Sequence, residues 1–79
     1  MVAKAFVLVT TSVGQAKKVL NELKKLDGVK SVDAVMGPYD IIAEVEGDSV
    51  DSLGKLITGH LHKVEGIERT LTCQTIRVT

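Results

Sequence analysis

Apolar and polar positions follow two different periods along this chain, and the change between them predicts its secondary structure. A β-branched and aromatic run predicts a strand over residues 3–10. Apolar residues then recur every three or four positions, which is helical spacing, after a capping-box pattern formed by Ser12 and Gln15. We expect this helix to begin at Ser12 and to end before Gly28, since glycine adopts the left-handed conformation that closes helices.

Two strands joined by a short link come next. The pattern predicts strands over residues 29–36 and 40–46, separated by a link that contains glycine and proline. A link of this length and composition is typical of a hairpin. The two strands are therefore expected to pair with each other in antiparallel orientation.

A second helix and a last strand complete the chain. Asp48 and Ser49 are both of a residue type that caps helices. Apolar residues follow them at helical spacing, namely Val50, Leu53, Ile57, Leu61 and Val64. Gly66 is expected to end this helix, and a threonine-rich strand is predicted over residues 67–78.

The two helix ends repeat each other at an offset of 38 residues. Lysine, an aliphatic residue, an acid, glycine and another aliphatic residue occupy positions 25–29 and again 63–67. Two strand–helix–strand halves predict an α+β fold of the ferredoxin-like type, with the order βαββαβ. In this fold a four-stranded antiparallel sheet carries both helices on one face.

The strands place apolar side chains on both faces of the predicted sheet. All four residues at positions 6–9 are apolar, and the pattern continues with Ile41, Ile42, Leu71, Ile76 and Val78. The helices cover one face only, and a chain of 79 residues buries a modest fraction of its surface. We therefore expect two copies to pack their uncovered sheets face to face in a homodimer.

Composition narrows the possible partners. Ten basic and ten acidic side chains cancel, and the two aromatic residues, Phe6 and Tyr39, offer few groups for stacking on bases. Six lysines outnumber two acids within residues 1–32, although such a surface supports solubility more than any one partner. No apolar run approaches the length of a membrane span. We expect one cytoplasmic domain over residues 1–79, without direct contact to nucleic acid or membrane.

Metal binding and catalysis find little support in the sequence. Cys73, His60 and His62 are candidate soft ligands, but they do not have zinc-ligand spacing, so neither a metal nor a cofactor is expected. Cys73 lies in the predicted last strand, where a small buried thiol is more common than a nucleophile. His60 is the candidate general base, which leaves a small dimeric α/β-barrel enzyme as an alternative.

The hairpin carries the most distinctive local chemistry of the chain. Gly37 lets a ligand approach the backbone, Tyr39 offers an amphipathic ring, and Asp40 offers a carboxylate. These groups suit an ammonium or a small polar molecule. The same residues also have a structural interpretation, in which glycine makes the turn, the ring packs on a neighbour and the carboxylate accepts a backbone N–H.

The stretch GPYDIIAEVE at positions 37–46, followed by EGIERTLT at 65–72, resembles the effector-sensing RAM domain of Lrp/AsnC-type regulators. The resemblance covers essentially the whole chain. It implies the ferredoxin-like fold, dimers packed sheet on sheet, a higher ring such as an octamer or decamer, and amino-acid effectors held between dimers. It also implies the ligand contacts, which map onto Gly37, Tyr39, Asp40, Thr70 and Thr72.

One departure from the full-length regulators shapes the expected function. Those proteins carry a helix-turn-helix domain that reads DNA, whereas the first strand here begins within five residues of the start. The chain is expected to be a stand-alone, non-enzymatic amino-acid sensor related to transcription regulation, acting alone or with full-length Lrp/AsnC-type regulators. An ACT-type regulatory domain is a second alternative, although its glycine-rich ligand loop would fall on TTSVG at positions 10–14.

Overall fold

A computed structural model of the chain describes residues 2–76. Within them the elements follow the order β1 (Ala3–Thr11), α1 (Ala16–Lys24), β2 (Val29–Ala34), β3 (Ile41–Gly47), α2 (Val50–Gly59), a 3₁₀ helix (Leu61–Lys63) and β4 (Ile67–Gln74). The predicted α+β class and the βαββαβ order are therefore confirmed.

The four strands form one antiparallel sheet in the order β2-β3-β1-β4. Val9 of β1 lies opposite Ile41 of β3 on one side and opposite Thr70 of β4 on the other. β1 and β3 are thus the central strands, and β2 and β4 form the edges. This is the ferredoxin-like arrangement that the repeat predicted.

The core lies between the sheet and the helices. Alternate residues of the two central strands are buried, namely Ala5, Val7, Val9, Ile41, Ala43 and Val45. The helical segments contribute Val19, Leu23, Leu53, Leu56, Ile57 and Leu61. Burying one such aliphatic side chain stabilises the fold by about 1.5–3 kcal/mol. The core of the described residues is therefore aliphatic and is built on one face of the sheet.

The other face of the sheet, the uncovered face, carries Phe6, Leu8, Ile42, Leu71 and Cys73. Leu8 lies between Ile42 and Leu71 in the strand register, and Phe6 lies opposite Cys73. The prediction of apolar side chains on both faces is confirmed. The prediction of a buried Cys73 is wrong in the single chain, because β4 is an edge strand and the helices pack on the opposite face.

The repeated glycines have the same backbone conformation. Gly28 and Gly66 have φ angles of 97° and 104°, so both adopt the left-handed conformation that the sequence predicted. A Cβ atom at Gly66 would lie 2.9 Å from Cγ2 of Val19, and one at Gly28 would lie 2.8 Å from Cδ2 of Leu56. Each glycine therefore allows a turn and a close approach to a helix.

The start of α1 differs from the prediction. The helix begins at Ala16, and Gln15 precedes it without a side-chain cap. Ser12 donates its backbone N–H to the carbonyl of Gly66 at 2.8 Å, and Gly14 turns the chain with φ at 78°. The capping-box prediction is wrong because these residues form the turn that leads the chain out of the sheet.

α2 is shorter than its apolar stripe predicted. The side chain of Ser49 accepts the N–H of Ser52, which confirms one of the two predicted caps. The helix ends at Gly59, a residue type that weakens helices, and the stripe continues into the 3₁₀ helix, where Leu61 is fully buried. Val50 belongs to the predicted stripe but is exposed.

β2 and β4 both end earlier than the sequence predicted. β2 ends at Ala34 rather than at position 36, although Val35 still donates its N–H to the carbonyl of Asp40 at 2.9 Å. β4 ends at Gln74. Val78, which the sequence placed in this strand and on the uncovered face, lies outside the described residues.

Candidate ligand-binding site

The β2–β3 hairpin lies at the end of the sheet where β1 ends. Asp40 donates its backbone N–H to the carbonyl of Val9 at 2.9 Å and accepts the N–H of Val35 through its own carbonyl, also at 2.9 Å. These two bonds connect the end of the hairpin to both neighbouring strands. The backbone therefore fixes the position of Asp40, one of the five predicted ligand residues.

The carboxylate of Asp40 holds the end of β1. Its Oδ2 accepts the backbone N–H of Thr11 at 2.8 Å and the hydroxyl of the same residue at 3.3 Å. This is the structural role that the sequence offered as the alternative to ligand binding. Both contacts use Oδ2, and a carboxylate has a second oxygen that accepts hydrogen bonds. The structural role therefore leaves Oδ1 for a ligand that donates.

The tip of the hairpin faces open space. Gly37 is exposed, and a Cβ atom added to it would meet no other atom of the described residues within 4 Å. Its φ lies outside the left-handed region, so neither packing nor backbone conformation requires glycine there. Tyr39 is half-buried beside it. The tip is thus accessible to a ligand or to another chain.

The two predicted threonines lie on β4, on the face that the helices cover. Thr70 lies opposite Val9 and Thr72 opposite Val7, both of which point into the core. The hydroxyl of Thr70 is 3.0 Å from Nε2 of His62 in the 3₁₀ helix. The sequence presented His62 only as a candidate metal ligand, because nothing local brings positions 62 and 70 together.

The predicted site is divided within one chain. Asp40 adjoins β3, Thr70 lies on β4, and β1 runs between these strands. Neighbouring strands are about 4.8 Å apart, so the backbones of the two residues are separated by about 10 Å. The carboxylate of Asp40 bonds to Thr11 of β1, whereas the hydroxyl of Thr70 contacts His62 of the 3₁₀ helix. The two predicted ligand groups therefore contact different neighbours within one copy of the chain.

A separate groove of about 400 Å³ lies between the end of α1 and α2, away from the hairpin. Lys25, Lys55 and His60 are among its lining residues. His60, the candidate base of the enzyme alternative, is exposed and caps the C-terminal end of α2. None of the five predicted ligand residues lines this groove.

Neither a metal centre nor a membrane-spanning helix is found in the described part of the chain. Among residues 2–76, no three histidine, cysteine or acidic side chains are grouped so that they could hold a metal ion. In the same range no helix is long and apolar enough to cross a membrane.

The sequence is similar to a longer archaeal protein. It is 30% identical over 56 residues to an uncharacterized HTH-type transcriptional regulator of Pyrococcus furiosus. The match covers 71% of this chain and 37% of the regulator. The chain thus spans well under half the length of that relative.

Several solved structures have the same fold. PHS023, a hypothetical protein from Pyrococcus horikoshii, is 35% identical with a TM-score of 0.88, over 99% of this chain and 93% of its own. TTHA0845 from Thermus thermophilus is 31% identical with a TM-score of 0.90, over 98% of this chain and 96% of its own. A Neisseria meningitidis regulator, NMB0573, was solved as a complex with L-Met. It is 16% identical to this chain with a TM-score of 0.83, and the match covers 95% of this chain and 50% of the regulator. At this identity the likeness shows the fold alone.

One protein family matches nearly the whole chain. The match to the Lrp/AsnC ligand binding domain runs from residue 4 to residue 78. This is a domain of transcription regulators and not an enzyme family. The strand order and the resemblance carried by the hairpin and the last strand agree with the match. The chain belongs to the Lrp/AsnC ligand binding domain family.

Proposed function

We propose that this protein is an amino-acid sensor that works as a homo-oligomer in the cytoplasm and performs no catalysis. The observation that carries the proposal is the division of the candidate site. Asp40 bonds to Thr11 and Thr70 contacts His62, and the backbones of Asp40 and Thr70 lie on either side of β1, which favours a site completed by a second chain. Binding and assembly are then a single equilibrium.

The uncovered face supports the first step of assembly, a dimer. Phe6, Leu8, Ile42 and Leu71 occupy neighbouring positions there, and Leu71 is 48% exposed. An apolar surface of this kind on a small domain is expected to be covered, and a second copy presents the same surface across a two-fold axis. At its border Lys4 pairs with Glu44 at 3.4 Å, which provides a polar rim.

The amino acid occupies a site between such dimers in this proposal. Oδ1 of Asp40 from one chain accepts the ligand ammonium, and the hydroxyls of Thr70 and Thr72 from another chain donate to its carboxylate. Gly37 and Tyr39 of the accessible hairpin form the adjoining wall. The L-Met complex of the Neisseria protein, which has the same fold, supports an amino acid as the ligand class. Rings of dimers, an octamer or a decamer, follow from repeated use of this contact.

Ligand binding regulates assembly by linkage. An amino acid that binds between dimers stabilises the ring relative to free dimers by its differential affinity, on the order of 1–3 kcal/mol for ordinary coupling. The proposed link to transcription is assembly with a partner. Full-length Lrp/AsnC-type regulators are the proposed partners, because they carry a domain of the same family.

Asp40→Asn separates the two roles of Asp40. An asparagine oxygen still accepts the N–H of Thr11, so the melting temperature is expected to stay within a few degrees of wild type. The lost charge weakens the bond to the ligand ammonium, and amino-acid affinity is expected to fall by about tenfold or more in isothermal titration calorimetry. Asp40→Ala loses both roles and is expected to be destabilised by about 1–2 kcal/mol as well.

Asp51→Asn is the matched control, since Asp51 is an exposed carboxylate in the first turn of α2, remote from the hairpin. It should bind amino acids as wild type does. Wild-type affinity in Asp40→Asn would assign Asp40 to the fold alone. A wild-type protein that binds no member of a full panel of L-amino acids at millimolar concentration would contradict the proposed function.

A further inference from the structure

The contact between His62 and Thr70 bears on whether the hydroxyl hydrogen of Thr70 is free to bond to a ligand. The two side chains are in hydrogen-bond contact, with Nε2 of His62 3.0 Å from Oγ1 of Thr70. A threonine hydroxyl carries one hydrogen, whereas an imidazole nitrogen is either a bare acceptor or an N–H donor. When Nε2 accepts, it takes that hydrogen. When Nε2 donates, the hydroxyl hydrogen is free to point at a ligand.

The backbone holds His62 firmly against β4. Its neighbour Leu61 is fully buried, and the N–H of Val64 closes the turn by bonding to the carbonyl of Leu61 at 3.2 Å. Thr70 is held by its pairing with Val9 in the sheet. The contact thus joins two fixed elements. The side chain of His62 is exposed, so protons from solvent reach it.

We propose that His62 is a positioning residue that turns the Thr70 hydroxyl towards the carboxylate of the bound amino acid, so that protonation of His62 strengthens binding. This inference rests on the proposed sensor function. Protonated imidazole carries N–H on both nitrogens, so Nε2 donates to Thr70 and the hydroxyl hydrogen is released to the ligand. The positive charge also attracts the carboxylate, which accepts hydrogen bonds only.

The sign of the pH dependence follows from this coupling. A ligand carboxylate favours the protonated imidazole, so amino-acid binding and proton uptake by His62 support each other. Affinity therefore increases as the pH falls and His62 takes up its proton. Charged hydrogen bonds are roughly twice as strong as neutral ones, and the expected increase is about fivefold between about pH 7.5 and pH 5.5.

Other charged or titratable side chains lie on the segments around this contact, namely His60, Lys63 and Glu65 beside His62 in sequence, and Glu68 and Arg69 on β4. Glu65 pairs with Lys18 of α1 at 3.8 Å. Arg69 lies opposite Thr10, on the uncovered face and away from the imidazole. Of these groups His60 alone carries an imidazole, as His62 does. His60 is therefore the residue from which His62 must be distinguished.

The test uses the full chain and two probes. The first probe is the L-amino acid that binds wild type most tightly in a full panel, and the second is its α-carboxamide, which lacks the carboxylate charge. Titration calorimetry at about pH 5.5 is expected to show His62→Ala binding the amino acid about fivefold more weakly than wild type. The loss should be smaller for the carboxamide, whose oxygen accepts a hydrogen bond but carries no charge. His62→Ala should also lose the pH dependence, and His60→Ala should keep it.

A conservative variant adds a second readout. His62→Gln carries an N–H donor that does not titrate, so affinity for the amino acid should be partly restored without any pH dependence. Two results would overturn the role of His62 without contradicting the sensor function. One is an equal affinity of wild type for the amino acid at about pH 7.5 and about pH 5.5. The other is an equal loss of affinity for the amino acid and the carboxamide in His62→Ala. If no amino acid binds wild type, the proposed function fails, and the role of His62 fails with it.

Discussion

Leu71→Asp is expected to convert the protein from dimer to monomer at micromolar concentration. Leu71 lies beside Leu8 on the uncovered face, where the proposed interface would bury an introduced carboxylate without a partner. An unpaired buried charge costs about 3–5 kcal/mol, and the two-fold axis introduces it twice, so dimer affinity should fall by more than about a hundredfold. Sedimentation equilibrium over a concentration series measures this directly.

The fold should survive the substitution, because Leu71 is half-exposed in the single chain and contributes little to its core. Circular dichroism checks this point. Val13→Asp is the matched control, because Val13 is fully exposed in the turn between β1 and α1, outside the uncovered face. The dimer affinity of this variant should equal that of wild type. An undiminished dimer in Leu71→Asp would contradict packing of sheet on sheet and would favour the edge-to-edge pairing of an ACT-type domain.

Leu61→Ala is expected to produce the largest loss of stability. Leu61 is fully buried and anchors the 3₁₀ helix that carries His62. Replacing a buried leucine by alanine leaves a cavity and costs about 2–5 kcal/mol, a large fraction of the roughly 5–15 kcal/mol that stabilise a domain. The melting temperature should fall by more than about 10 °C.

Thermal melts must be compared at one protein concentration, since dimer formation contributes to the apparent stability. Val50→Ala provides the control because Val50 is an exposed aliphatic residue on α2. Its melting temperature should be unchanged or slightly higher, since alanine favours helices more than valine does. If the melting temperature of Leu61→Ala falls no further than that of Val50→Ala, Leu61 does not anchor the 3₁₀ helix.

Those parts of the fold that follow from periodicity could be predicted from the sequence. Strand side chains alternate between faces with a period of two, so the apolar run at 6–9 places residues on both faces wherever the strand pairs. The glycines at 28 and 66 predicted both left-handed turns, because few other residues adopt that conformation.

The predictions that failed depended on contacts distant in sequence. Ser12 has a local capping pattern, but its backbone N–H bonds to Gly66 at the start of the last strand. Cys73 has the apolar surroundings of a buried thiol, but its exposure depends on β4 being an edge strand. Local pattern does not show that Ser12 lies beside Gly66, and the exposure of Cys73 follows from the position of β4 in the fold and not from its neighbours in sequence.

Contacts distant in sequence also determine the surroundings of the candidate site. The resemblance supplied Asp40 and Thr70, but their neighbours, Thr11 and His62, are brought to them only by the folded sheet and the 3₁₀ helix. The separation of the two halves of the site across β1 likewise depends on the strand order. These contacts show which neighbour each of the two predicted ligand residues already binds.

The mass of the assembly in solution, determined with and without each L-amino acid at millimolar concentration, tests whether ligand binding and assembly are coupled. We expect dimers without ligand, and at least one amino acid that shifts the population to a ring of defined higher mass and raises the melting temperature. If no amino acid changes either the mass or the melting temperature, the protein is not a ligand-coupled sensor.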